Sequence, residues 1–141
     1  MGMLYIITMN NKYINKIRKN PKKFNWDEIS ADNILSEEFI EEFQDYVDWT
    51  HISLYQKLSE DFIIKFQDKV NWVNICLMQN LSENFIRNFK HKVFWHNIFR
   101  VQKLSKEFII EFYDTFVQYS ESFLMNEKID EDIKEDCKLF I

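Results

Sequence analysis

Glycine and proline are nearly absent from this sequence of 141 residues, since each occurs only once, as Gly2 and Pro21. Phosphate-binding loops, dinucleotide fingerprints, nucleophile elbows and hairpin-rich β folds depend on glycine, because their turns require a positive φ or a close approach of the backbone. The scarcity of glycine therefore excludes most glycine-dependent enzyme families. We expect no catalytic residues and no cofactor, and the sequence predicts that the protein is not an enzyme.

Cysteine and long apolar runs are also scarce. Cys76 and Cys137 lie far apart and form no C-x-x-C motif, which favours reduced thiols in the core over a disulfide. No apolar run approaches the roughly 20 residues that span a bilayer, and the opening MLYIIT lacks the basic start of a secretory signal. We expect a soluble, cytoplasmic protein that does not contact a membrane.

Charge of one sign does not accumulate, although the formal net charge is −5. Residues 1–34, 35–57, 58–80, 81–103 and 104–141 carry net charges of +3, −5, −1, +4 and −6. A generic nucleic-acid binder shows a sustained basic stripe and a duplex mimic a sustained acidic one. The alternation of sign favours neither, and a protein partner fits better.

The dominant feature is a repeat with a fixed period of 23 residues. The segments LSEEFIEEFQDYVDW, LSEDFIIKFQDKVNW, LSENFIRNFKHKVFW and LSKEFIIEFYDTF begin at Leu35, Leu58, Leu81 and Leu104. The same spacing separates Trp26, Trp49, Trp72 and Trp95. Because a helix pair this short cannot bury its apolar face alone, neighbouring repeats are expected to stack.

Apolar residues within a repeat fall at helical intervals and predict two short helices. The first has the stripe Leu35, Phe39, Ile40, Phe43 and Val47, and the second has Trp49, Ile52 and Tyr55. We predict that the four equivalent serines, Ser36, Ser59, Ser82 and Ser105, cap the first helix of each repeat. We predict that the second helix is capped by Asn25, Asp48 and Asn71, whereas Phe94 occupies that position in a later copy and cannot accept an amide hydrogen bond.

The predicted fold is therefore all-α: a solenoid-like stack of about four two-helix repeats with helical end caps, in a single domain of residues 1–141. Residues 1–34 form an N-terminal cap with a partial repeat, and residues 104–141 form a partial repeat with a C-terminal cap. Full repeats cover 35–57, 58–80 and 81–103. A first helix is predicted over 11–20, ending before Pro21. Ser120 and Asp130 are candidate caps of two closing helices, the last with Ile129, Ile133 and Cys137 on one face.

These repeats resemble the short tandem repeat found in many proteins of giant DNA viruses such as mimiviruses, and in some phages and bacteria. The resemblance lies in the phrase L-S-E-x-F-I-x-x-F-x-D-K-V-x-W, almost intact from Leu58 to Trp72, and extends over about 24–116. It implies an α-helical repeat of viral or phage origin and transfers no catalytic residue. The fourth copy departs from the pattern at Thr115, Phe116 and Gln118, which puts its second helix in doubt.

The residues that could carry chemistry have simpler structural explanations. His91 and His96 are five residues apart and His51 is two repeats away, so no ligand pair with the i,i+4 spacing exists and no metal site is predicted. The carboxylates around Glu37 and Asp45 are typical of a solvated helix face. The tryptophans are expected to pack in the core rather than stack on nucleic-acid bases.

Positions that vary while the repeat frame stays fixed are the candidate partner-binding residues. They are Glu41, Ile64, Arg87 and Ile110 at one position, and His96 and Arg100 with their equivalents at two others. Ile64 and Ile110 alternating with Glu41 and Arg87 would give an amphipathic ridge suited to protein contact.

The leading hypothesis is a non-enzymatic repeat protein that binds a host or viral protein, for example as a host-defence antagonist, by analogy with its viral resemblance. One alternative is a nucleic-acid ligand using Arg87, Lys90, Lys92, Arg100 and Lys103 of the basic block 81–103. Another is a structural protein that self-associates end to end.

Overall fold

The computed structural model of the protein describes residues 7–138 and confirms the predicted all-α repeat fold. The helices are α1 (Asn11–Lys19), α2 (Trp26–Asp32), α3 (Glu37–Glu42), α4 (Trp49–Tyr55), α5 (Glu60–Lys65), α6 (Trp72–Met78), α7 (Glu83–Asn88), α8 (Trp95–Val101), α9 (Lys106–Glu111), α10 (Tyr113–Gln118), α11 (Ser120–Leu124) and α12 (Glu131–Lys138). A 3-10 turn covers Pro21–Lys23. Two strands, β1 (Ile7–Thr8) and β2 (Asn33–Ile34), form a parallel pair.

Each repeat contributes a six-residue helix, here called helix A, and a seven-residue helix, here called helix B. Helix A is α3, α5, α7 or α9, and helix B is α2, α4, α6 or α8. The chain forms two compact units, one ending at Asn71 and the other beginning at Trp72. Within the first unit α4 packs on α2, and within the second α8 packs on α6 and α11 packs on α8.

Helix A begins at the same serine cap in every repeat, as the sequence predicts. The Oγ atoms of Ser36, Ser59, Ser82 and Ser105 accept hydrogen bonds of 3.1–3.2 Å from the backbone N–H three residues later. This cap fixes the helix rotation so that its third and fourth residues, a phenylalanine and an isoleucine, point into the core and are buried in all four copies.

Aromatic rings join helix B to the helix A that follows it. The ring centroid of Trp49 lies 6.3 Å from that of Phe62 and 5.1 Å from that of Phe66. In the second unit Trp72 lies 6.1 Å from Phe85 and 5.3 Å from Phe89. Trp26 is buried, whereas the other three tryptophans are half-buried, so the expectation of core packing is met in full only by Trp26.

A buried glutamine ends helix B and binds the backbone of the preceding repeat. In the first unit Gln56 donates from Nε2 to the carbonyl oxygens of Ser30 (2.9 Å) and Asn33 (2.7 Å), and its Oε1 accepts from Leu35 N–H at 2.9 Å. These carbonyls lie where α2 ends and its last C=O groups have no partner within the helix. One side chain therefore closes a helix end and positions the start of the next helix A.

The second unit repeats this arrangement with the same sequence separations. Gln102 donates to the carbonyls of Cys76 (2.9 Å) and Gln79 (2.8 Å) and accepts from Leu81 N–H at 3.0 Å.

The position of the glutamine also determines the exposure of the residue before it. Because Gln56 takes the inward position after helix B in the first unit, the preceding residue, Tyr55, is 57% exposed. The prediction that Tyr55 lies on the buried stripe is thus wrong.

A small side chain in the middle of helix B accepts a hydrogen bond from the backbone N–H of the residue that precedes the next helix B. Ser30 Oγ accepts from Asp48 N–H at 3.0 Å, and Ser53 Oγ accepts from Asn71 N–H at 2.9 Å. The equivalent atom in the second unit is the Sγ of Cys76, which accepts from Phe94 N–H at 3.4 Å. Burial raises the pKa of Cys76 to about 11.

Both cysteines, Cys76 and Cys137, are buried and free, as the sequence predicts. Every helix within residues 7–138 is too short or too polar to cross a bilayer.

The ends of the repeat array depart from its frame. Helix α1 is capped by Asn10 and places Ile17 in the core, and α12 begins directly after Asp130 with Ile129 and Cys137 buried. The prediction of Ser120 as a cap is wrong, because Ser120 is the first residue of α11 and Tyr119 precedes it without a side-chain cap bond. The copy that begins at Leu104 has α9 as its helix A and α11 in the place of helix B. Helix α11 packs on α8.

Phe94 precedes α8 without a side-chain cap bond and is 47% exposed. Its φ and ψ of −92° and 98° match the −81° and 107° of Asp48, whose Oδ1 caps α4 by accepting from His51 N–H at 2.7 Å. We therefore expect Phe94→Asn to raise the free energy of unfolding by about 1 kcal/mol, measured by urea denaturation. A clear loss of stability would show that the ring contributes to packing.

Replacing Gln102 with leucine conserves volume but leaves three backbone groups without their partner. Since each buried unsatisfied group costs about 1–3 kcal/mol, we expect Gln102→Leu to lower the free energy of unfolding by about 3 kcal/mol or more. Gln118→Leu, at an exposed position of α10, is the control and should change it by less than about 0.5 kcal/mol. Equal effects of the two substitutions would contradict the role of the glutamine.

Candidate partner-binding surface

Four of the predicted partner-binding residues occupy the fifth position of helix A. The serine cap and the two buried residues before it direct this position outward in every copy. Ile64 and Ile110 are 41% and 61% exposed, whereas Glu41 and Arg87 are half-buried. Glu41 and Ile64 belong to the first unit, and Arg87 and Ile110 belong to the second.

The charged members of this set are paired with the next helix A. Glu41 Oε1 lies 2.5 Å from Lys65 Nζ, and Arg87 Nε donates to Glu111 Oε2 at 2.7 Å. The guanidinium of Arg87 also lies 5.1 Å from the ring centroid of Phe108. Glu41 and Arg87 therefore connect neighbouring repeats, and their charges are partly neutralised before any partner arrives.

A bidentate ion pair of the same kind joins α1 to α3 in the first unit. Arg18 donates from Nε and Nη2 to the two carboxylate oxygens of Glu42, at 2.6 and 2.7 Å. The hydrogen bond from Arg18 holds the pKa of Glu42 below its usual range.

The remaining predicted residues lie on helix B of the second unit. His96 is exposed at the second position of α8, and its Nδ1 lies 2.8 Å from Ser122 Oγ. Arg100 is exposed near the end of the same helix and lines a shallow groove of about 240 Å³ with Met125.

An apolar surface lies on α9 and α10, and we call it the Ile110 surface: Ile110, Tyr113 and Val117. Tyr113 and Val117 are each 41% exposed, and Ile110 and Tyr113 line the same groove of about 290 Å³. Their spacings of three and four residues place them on one side of a nearly continuous helical path, since Phe116 N–H donates to the Phe112 carbonyl at 2.8 Å across the junction.

Acidic side chains surround this apolar surface. Glu107, Glu111 and Asp114 are exposed on the same two helices, and block 104–141 carries a net charge of −6. Within residues 7–138, Asp114 makes no ion pair, while Glu111 is engaged with Arg87. An apolar centre with an acidic border fits an apolar and basic partner segment.

The basic block 81–103 is partly engaged within the second unit. Arg87 binds Glu111, and Lys92 Nζ lies 5.7 Å from the ring centroid of Trp72. Lys90, Arg100 and Lys103 are exposed. The block therefore presents fewer available cations than its composition indicates.

One cluster of potential metal ligands lies in the first unit. Ligand atoms of Asp27, Asp48 and His51 all lie within 4.8 Å of one another. Histidine spacing along one helix does not reveal this cluster, because Asp27 comes from α2 and the other two residues come from the start of α4. Stacking of successive helices B brings these residues together.

The spacing of the repeat does not predict that Tyr113 and Val117 are surface residues. The signal that could have found them is the departure of the fourth copy from the repeat at Thr115, Phe116 and Gln118. In the earlier copies a turn follows helix A, whereas here the chain continues as α10 and exposes new side chains. A broken repeat frame thus marks the place where a new surface forms.

No family model, curated protein or solved structure matches this chain. The surfaces themselves are consequently the basis for the function proposed below.

The ion pair between Arg18 and Glu42 has a defined pH dependence. Because the pKa of Glu42 is lowered in the folded state, its stabilising effect is present at neutral pH and is lost as the pH falls below about 4.3, the value of an unperturbed glutamate. We expect the stability difference between wild type and Glu42→Gln to shrink as the pH falls from 6 toward 3, in urea unfolding at low salt.

The control for this comparison is Glu121→Gln, because Glu121 is exposed and makes no ion pair within residues 7–138. Its difference from wild type should stay constant over the same pH range. A difference for Glu42→Gln that is constant or grows toward acid would contradict the assigned pairing.

Proposed function

We propose that this chain is a non-enzymatic binding protein whose partner is another protein, and that the partner docks on the Ile110 surface. The observation that carries the proposal is the exposed apolar row Ile110, Tyr113 and Val117 on α9 and α10. Ile110 occupies the outward fifth position of helix A, which holds glutamate or arginine in other copies, so its apolar character is not needed for the fold.

The apolar row supplies part of the free energy that a specific contact needs. Burying an exposed isoleucine or valine contributes about 1–2 kcal/mol, and an aromatic ring with a polar tip is a frequent anchor at interfaces. Ile110 is the most exposed of the three and borders the groove shared with Tyr113. It is therefore the residue whose loss should weaken binding most.

The charge around the Ile110 surface defines the class of partner. Exposed Glu107 and Asp114 would attract a segment that carries lysine or arginine beside apolar residues, and opposite charge accelerates encounter. A phosphate backbone would be repelled by the same carboxylates. The proposed partner is thus a basic, apolar protein segment such as an amphipathic helix.

Arg87, His96 and Arg100 have different roles in this proposal. Arg87 holds Glu111 at the edge of the surface and is a positioning residue rather than a partner contact. His96 and Arg100 lie on α8 and are exposed, so they remain candidate contacts of the same partner. Glu41 and Ile64, in the first unit, are not part of the proposed surface.

The resemblance to repeats of giant viruses extends the proposal to its biological setting. A viral protein without catalytic machinery can act by occupying a host protein, so by analogy we propose a protein of host defence as the partner.

Selection of helical peptides from a display library against the full chain tests the proposed function. The expected binders contain apolar residues and several lysines or arginines, and Ile110→Asp should weaken them by more than tenfold, about 1.4 kcal/mol, in fluorescence anisotropy. The matched control is Met78→Asp, which places the same charge at another exposed apolar residue of the second unit and should leave binding unchanged.

Selected peptides that bind Ile110→Asp as well as wild type would overturn the assignment of the surface. Acidic peptides as the sole binders would overturn the assigned partner chemistry. Saturable binding of single-stranded or duplex nucleic acid that weakens steeply with salt and depends on Arg100 and Lys103 would favour the alternative function instead.

A further inference from the structure

The strongest arrangement that the proposed function does not use is the contact between the starts of α2 and α4 in the first unit. Asp27 is the second residue of α2, Asp48 precedes α4, and His51 is the third residue of α4. Their ligand atoms lie within 4.8 Å of one another, and the Nδ1 of His51 is 3.2 Å from Oδ1 of Asp48. Two carboxylates and one imidazole from two repeats thus converge on one point.

The His51 ring nitrogen in this cluster lacks a hydrogen-bond partner. Its Nδ1 is buried although the side chain as a whole is half-buried, and it is the one buried side-chain atom of the described residues without a hydrogen bond. The nearby Oδ1 of Asp48 accepts a hydrogen bond from the backbone N–H of His51 at 2.7 Å. The same oxygen forms no hydrogen bond with the Nδ1 atom of His51. A buried imidazole nitrogen left without a partner costs free energy unless another group satisfies it.

The repeat shows that the frame does not require these three residues. One period later the equivalent positions hold Thr50, Asn71 and Asn74, and two periods later they hold Val73, Phe94 and Asn97. Within the second unit α8 packs on α6 with Val73, Phe94 and Asn97 at these positions, so a contact between successive helices B forms without any of the three ligand types.

We propose that Asp27, Asp48 and His51 bind a Zn²⁺ ion. Zinc takes imidazole nitrogen at about 2.0–2.1 Å and carboxylate oxygen at about 2.0–2.2 Å, so its tetrahedral ligand atoms stand about 3.3 Å apart. The 3.2 Å between the His51 and Asp48 atoms already matches this separation, and the carboxylate of exposed Asp27, within 4.8 Å of both, is the third ligand. The fourth position is left for water or a partner's side chain.

The surroundings hold two of the ligands in place. Asp48 is fixed by its cap bond to α4, and the His51 ring stacks on Tyr55 with centroids 5.8 Å apart. The two helix N-termini oppose a cation, whereas the two carboxylates supply the negative charge that a divalent ion needs. The imidazole favours zinc over Mg²⁺ and Ca²⁺, which prefer oxygen ligands alone.

Calorimetric titration of the chelator-treated full chain with ZnCl₂ tests the site. We expect one saturable site per chain, with Mg²⁺ and Ca²⁺ failing to compete, and an increase in melting temperature on adding Zn²⁺. His51→Asn and Asp27→Thr should each weaken binding more than about tenfold. Both variants carry the residue found at the equivalent position of the next repeat, so the fold accommodates them, and circular dichroism verifies this.

His91→Asn is the matched control, because His91 is exposed in the turn between α7 and α8 and belongs to no ligand cluster of the described residues. It should bind Zn²⁺ as wild type does. The proposal is overturned if wild type shows no saturable Zn²⁺ binding, if folded His51→Asn keeps wild-type affinity, or if His91→Asn loses as much affinity as His51→Asn.

Discussion

The shortness of its helices is the constraint on which this structure depends. An α-helix leaves its first four N–H groups and last four C=O groups without partners inside the helix. In helices of six or seven residues these groups are most of the backbone polar groups present. Such a helix is stable only when neighbouring side chains supply the missing hydrogen bonds. The repeat provides them from fixed positions: Ser36 just before helix A, Ser30 from the preceding helix B, and Gln56 from the following repeat.

This dependence divides each repeat into positions that the frame fixes and positions that it leaves open. Gln102 makes the same three backbone contacts in the second unit that Gln56 makes in the first, whereas the fifth residue of helix A can be glutamate, isoleucine or arginine. Function is therefore expected at the open positions. Some of these also acquire structural roles, since Arg87 and Glu111 pair across neighbouring repeats on the outer face.

Most of the repeat frame could be predicted from the sequence, because caps and apolar spacing are local signals. The serine caps, the buried Ile40 and the helix before Pro21 are all as predicted. The role of Gln56 was not predictable in the same way, since a polar residue after a helix usually indicates a solvated end. Its spacing with Gln79 and Gln102 was visible, but its partners lie 21 to 26 residues away and are defined only by stacking. Tyr55 was misassigned for the same reason.

The candidate sites were harder to predict because they arise from departures from the repeat rather than from the repeat itself. Ile110 was identified by comparing copies, whereas Tyr113 and Val117 became surface residues only because the chain continues as α10 after Phe112 instead of turning as it does after Phe66. Asp27 and His51 are separated by 24 residues, one more than the period. Their equivalent positions within a repeat are therefore consecutive, and stacking of α4 on α2 brings the two side chains together. In a repeat protein, pairs separated by about one period are therefore spatial neighbours, and a search for sites must compare residues across copies as well as along a helix.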